Sequence, residues 1–107
     1  MLIRAGATNH KQTHVLIKIA HRIADEIPEK LQICTKTTEI KSCMEKGKIA
    51  LLLHIEGAEA VSPDLHELEL LYDLGLRSVG PVWSRKNIFA EGVNFSFPST
   101  PDQGGGL

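Results

Sequence analysis

Aromatic side chains are scarce in this chain. One Trp, one Tyr and three Phe among 107 residues are too few for the stacking platforms that hold single-stranded nucleic acid. Cationic charge is not in excess either. Twelve Lys and Arg against thirteen Asp and Glu leave a net charge of −1, and the densest basic stretch, KSCMEKGK, is no patch able to neutralise a phosphate backbone. A nucleic-acid partner is therefore not expected. Long apolar runs are missing too, since the longest, Ile49 to Leu53, falls far below a bilayer span. The opening MLIRAGATNHKQTH lacks the apolar core and cleavage site of a secretory signal, and STPDQGGGL is no lipid-anchor tail. The expectations are no membrane association and a cytoplasmic location. Cys34 and Cys43 show no CxxC pairing, so they read as reduced thiols acting as small apolar groups.

What is present suits one soluble globular domain, with 42% hydrophobic and 23% charged residues. KQTHVLIKIAHRIADEI predicts a first helix, because Leu16, Ile19, Ala20, Ile23, Ala24 and Ile27 recur at three- and four-residue steps. Pro28 stops it. LQICTKT predicts a short strand with Leu31, Ile33 and Thr35 alternating. A second helix follows, capped by one of Thr35, Thr37 or Thr38, lined by Ile40, Cys43 and Met44, and ended by Gly47.

KIALLLHIE then predicts a strand apolar enough to be parallel and covered on both sides. Ser62-Pro63 is expected to open a third helix with Leu65, Leu68, Leu71, Tyr72 and Leu74 buried, and Gly75 to close it. LRSVGPVW predicts the last strand, weakened by Gly80-Pro81. Beyond Ser84 the chain reads as loop. Strands alternating with helices imply right-handed crossovers, a parallel sheet and an α/β class. Three strands cannot close a barrel of eight. The chain is either a small open domain or part of something larger.

Parallel strands deliver chemistry at their carboxyl ends. Alternation puts Leu52, His54 and Glu56 on one face of the KIALLLHIE strand, with Leu51, Leu53 and Ile55 on the other. Glu56 then leaves the carboxyl edge beside Gly57, where the backbone can turn sharply. An ionised carboxylate held there needs a cation or several donors, and a divalent metal is the strongest compensation. The alternative is a glutamate that reaches water or bonds to loop amides. His54 reads as a hydrogen-bonded structural histidine. His10, His14, His21 and His66 show no HExxH-type spacing and read as solvated.

The stretch GKIALLLHIEGAEAVSPDLHELELLYDLGLRSVGPVWSRKN resembles the membrane (renal) dipeptidase family of zinc enzymes. The likeness runs back through TKTTEIKSCMEKGK and forward through FAEGVNFSFPSTPDQGGGL. Its most specific part is Gly47-Lys48, the apolar strand and Ile55-Glu56-Gly57, followed at fixed spacing by Leu68, Leu71-Tyr72, Leu74-Gly75 and Arg77. The resemblance implies an amidohydrolase-type (β/α)8 TIM barrel carrying two zinc ions, with dipeptides as substrates. The family's bridging glutamate falls on Glu56, and a water held between the zinc ions would attack the peptide carbonyl.

The chain also departs from the family's pattern. The His-x-Asp ligand pair of the family's first strand has no counterpart in these residues, and its two later histidine ligands lie on strands beyond this chain. A substrate-binding histidine of the mammalian branch is replaced by Trp83, which either walls the pocket or packs into the core. Glu59 stands where the mammalian branch has a histidine, and no metal role is assigned to it. A catalytic zinc site needs about three protein ligands. The expectation is therefore a middle segment of a dipeptidase barrel: residues 1–107 as one incomplete domain of about three parallel strands and three helices, with 88–107 a loop or tail. Such a chain, from a truncated or split frame, would not hydrolyse dipeptides alone. Its open strand edges favour self-association or a complementing barrel fragment. The competing readings are a non-catalytic α/β association module and a degenerate remnant of the enzyme.

Overall fold

The structure is a computed structural model that describes the backbone of residues 2–5 and all of residues 10–92. Its elements run β1 (Leu2–Ala5), α1 (His10–Glu26), β2 (Leu31–Ile33), α2 (Thr37–Glu45), β3 (Ile49–Glu56), α3 (His66–Asp73) and β4 (Leu76–Gly80). The α/β class, parallel pairing and alternation of elements are as predicted. β1 was not foreseen, because four residues interrupted by Arg4 carry too little alternation to register as a strand. Residues 88–92 hold neither helix nor strand, and the rest of the predicted tail, 93–107, lies outside the described residues. Among the described residues no helix is long and apolar enough to cross a membrane.

β3 organises the sheet. It pairs in parallel with β2 along Ile49–Leu51, with β1 along Leu52–Ile55 and with β4 along Leu53–Glu56. Leu51, Leu53 and Ile55 are buried, whereas Leu52, His54 and Glu56 are half-buried. The expectation that both faces would be covered therefore holds for one face only. A barrel strand buries its second face against the interior side chains of the other strands, and four strands supply too few of them.

The covered face packs into one core with Ile17 and Ala20 of α1, Leu71 of α3, Leu76 of β4, and Ala58 and Val61 of the β3–α3 connection. On α1 the buried stripe is Thr13, Ile17 and Ala20. Leu16, Ile19 and Ile23, which spacing had placed inside, are 38%, 45% and 44% exposed. Two stripes on this helix satisfy the same three- and four-residue steps. Contact with the sheet selects the one through Thr13 and Ile17, leaving Val15, Leu16, Ile19 and Ile23 as an exposed apolar strip.

Helix ends also differ from expectation. Lys36, not a threonine, occupies the N-cap of α2 and makes no side-chain cap. The Glu39 carboxylate instead reaches back to accept from the N–H of Thr35, the residue before the N-cap, at 2.7 Å. α3 begins at His66 rather than at Ser62-Pro63, because Leu65 adopts a left-handed conformation (φ 62°) that no helix continues through. Ser62 still serves this terminus. Its N–H donates to Glu67 at 3.1 Å and its hydroxyl lies between the Asp64 and Glu67 carboxylates. Leu65 and Tyr72 of the predicted stripe are 42% and 57% exposed, and Leu71 is the fully buried member.

Gly47 and Gly75 end α2 and α3 at φ 67° and 106°, as the sequence predicts. Arg77 then ties three segments together. Its Nη1 donates to Tyr72 O at 2.8 Å and Leu76 O at 2.7 Å, its Nε donates to Thr35 O at 3.3 Å, and its guanidinium lies 3.6 Å from the Tyr72 ring centroid.

The two thiols fill space beneath α2. Cys34 and Cys43 are buried and free, with their Sγ atoms 3.6 Å apart. Burial, and then the hydrogen bond with Cys43, push the Cys34 thiol up from 9.0 to about 11. The folded state therefore retains a proton that the unfolded chain releases, so stability is intact below pH 9 and falls between pH 9 and about 11. Urea midpoints measured across that window should drop for the wild type. Cys34→Ala should flatten the slope, whatever its effect on the absolute midpoint.

Candidate functional site

The β3–β4 pair defines the carboxyl edge. Residue register sets His54 opposite Ser78 and Glu56 opposite Gly80. Pairing continues past the last strand residue, as Gly57 N–H donates to Gly80 O at 2.8 Å and Ala58 N–H to Pro81 O at 3.0 Å. The backbone that carries Glu56 is thus clamped on both sides of the residue. Gly57 turns the chain away at φ 94°, a conformation open to glycine and costly for other residues. The Glu59 carboxylate folds over Gly57, in the space that a β-carbon would need.

Glu56 is the final residue of β3 and half-buried, on the less covered face with Leu52 and His54. This is the placement predicted for a ligand-bearing carboxylate. His54 is the structural histidine expected from its sequence position, with Nδ1 2.8 Å from Ser78 Oγ and its ring beside Gly80. Its partner Ser78 was not singled out in the sequence, because the pairing depends on the β3–β4 register. Trp83 lies three residues beyond β4, not within it, and is 51% exposed. Pro81 ends the strand because it has no N–H to donate to a continuing ladder. Glu59 is exposed.

Of the four histidines read as solvated, only His66 is exposed. His21 Nε2 is 2.5 Å from Leu74 O, joining α1 to the end of α3. His10 and His14 are half-buried and stacked edge to face. The missed signal was their four-residue spacing on one helix.

The donor set at the edge is incomplete for zinc. Among the described residues no three His, Cys, Asp or Glu side chains gather as a metal ion would require. A catalytic zinc needs about three protein ligands, so Glu56 and its neighbours do not by themselves form a zinc site.

A parallel α/β segment that mounts a carboxylate on a central strand's carboxyl end is of the α/β class, barrel or open sheet, that places chemistry at that edge. The particular family is shown by comparison with known proteins. The chain matches the membrane dipeptidase family model (peptidase family M19) over residues 4–107, and it belongs to that family. A protein of Acinetobacter calcoaceticus from the PQQ-III 3′ region is 41% identical over 91 residues, covering 85% of this chain and 29% of that protein. Dipeptidase verJ of Clonostachys rogersoniana is 26% identical over 82 residues, covering 77% and 21% respectively.

Solved structures agree in fold. The crystal structure of dipeptidase AC, a metallo peptidase of family M19, superposes with a TM-score of 0.77 at 37% identity, covering 96% of this chain and 29% of that one. A metallo peptidase from Rhodobacter sphaeroides, liganded with a phosphinate mimic of the dipeptide L-Ala-D-Ala, gives 0.73 at 38% identity with the same coverage. The chain therefore spans less than a third of the length of each of these relatives.

Proposed function

We propose that this chain forms one segment of a zinc-dependent dipeptidase, in which Glu56 is the carboxylate shared by two zinc ions and the remaining ligands come from other segments. The observation that carries this reading is the position of Glu56 at the carboxyl end of β3, fixed by Gly57 and Ala58 hydrogen bonds to β4. Family membership supports the substrate class, since one relative of known structure holds a mimic of L-Ala-D-Ala. Trp83, exposed just beyond β4, is assigned to the pocket wall. The α1 strip of Val15, Leu16, Ile19 and Ile23 is accounted for as a surface that further barrel elements cover. No step of peptide hydrolysis is assigned to these residues alone, because one carboxylate does not make the metal centre.

The test is a segment exchange. Residues 10–92 would replace the equivalent segment of a full-length dipeptidase related at the level of the Rhodobacter enzyme. The chimera should bind zinc and hydrolyse L-Ala-D-Ala. Glu56→Gln within it should lower kcat/KM by about 100-fold or more, because a transition-state ligand is lost, and should lower the zinc content. A Glu56→Gln chimera as active as its parent would rule out the assignment. The chain by itself should show no dipeptide turnover with added zinc.

A further inference from the structure

The first two turns of α1 carry a pair of imidazoles that the sheet-edge site does not use. His10 and His14 are four residues apart, the spacing that brings side chains together on one face of a helix. Their ring centroids are 4.3 Å apart with the planes inclined at 63°. Each ring has one nitrogen, Nδ1 of His10 and Nε2 of His14, that is sealed from solvent and has no hydrogen-bond partner. Buried polar atoms without partners are rare in native proteins. Two of them on touching rings call for one explanation. A neutral imidazole offers one lone pair, and rotating the two edge-to-face side chains would turn both lone pairs onto a single cation.

We propose that His10 and His14 form a two-imidazole chelate for a borderline divalent transition ion of the Cu2+ or Ni2+ kind, with water completing its coordination. Imidazole nitrogen suits these ions, and their affinity order places Cu2+ highest. Two histidines at this helical spacing also supply the ligand pair of HExxH metal helices. Ligation requires unprotonated rings. Burial, and then the charges of His10 and Lys18, lower the pKa of the His14 imidazole. Lys18, one turn further along the helix, and the positive end of the helix dipole both oppose a bound cation. They limit the affinity without removing the ligands.

The test titrates the Glu56→Gln chain with CuCl2, followed by calorimetry and by the visible absorption of nitrogen-ligated copper. One saturable equivalent is expected. His10→Gln or His14→Gln should each weaken binding about tenfold or more, since losing one ligand turns a chelate into a single-point attachment. His66→Gln should change nothing. Lys18→Gln should tighten binding, a gain that misfolding cannot imitate. The proposal is overturned by the absence of saturable binding, or by an affinity that neither histidine replacement moves. One equivalent bound by the wild-type chain but not by the Glu56→Gln chain would also overturn it. That result leaves the dipeptidase reading intact, because the chimera tests that separately.

Discussion

Leu71→Ala should produce one of the largest losses of stability available from a single core position. Leu71 is fully buried where α3 meets Ile17 and Ala20 of α1, Leu53 and Ile55 of β3, and Leu76 of β4. Truncating a leucine in such a place removes its transfer free energy and leaves a cavity, at a cost of about 2–5 kcal/mol. Small domains hold roughly 5–15 kcal/mol in total, so the variant should lose a large share of its folded margin. Leu70→Ala supplies the control. It lies next along the same helix with the same propensity change, but Leu70 is 39% exposed, and its cost should stay below about 1 kcal/mol. The urea midpoint should fall sharply for Leu71→Ala at an unchanged slope and hardly move for Leu70→Ala. Equal midpoints for the two variants would mean that α3 does not pack as described.

That contrast also marks how far the sequence could be read. Leu70 and Leu71 are chemically identical, and spacing alone places Leu65, Leu68, Leu71, Tyr72 and Leu74 together. Only the sheet decides that Leu71 enters the core while Leu65 and Tyr72 stay outside. The same ambiguity affected α1, where two interleaved stripes obeyed the helical period. β3 was legible because its apolar run was nearly continuous and was bounded by a helix-stop glycine and a turning glycine. The position of Glu56 followed directly from it. The partners around the site were not legible. Ser78 meets His54 through strand register, and Glu39 serves the start of α2 where Thr35, Thr37 or Thr38 was expected to cap it. The His10–His14 contact was visible as a spacing but gained meaning only once two unpartnered nitrogens were seen on it.

Gly57→Val should separate backbone strain from side-chain collision at the turn that follows Glu56. Gly57 sits at φ 94°, and a β-carbon added there meets the Glu59 carboxylate. Two causes thus oppose the substitution, and they differ in cost. Glu59 is exposed and its carboxylate is the end of a flexible chain, so it can swing away with little penalty. The φ angle has no such escape, because Gly57 N–H and Ala58 N–H are held by Gly80 and Pro81 carbonyls on β4. A branched residue forced to positive φ costs about 1–3 kcal/mol. Gly57→Val should therefore lower stability by that amount, and Glu59→Ala should not restore it in the double variant. In the segment-exchange chimera the strained turn should also displace Glu56 and reduce zinc content. Full rescue by Glu59→Ala would show instead that the collision, rather than the backbone conformation, makes glycine necessary at this exit.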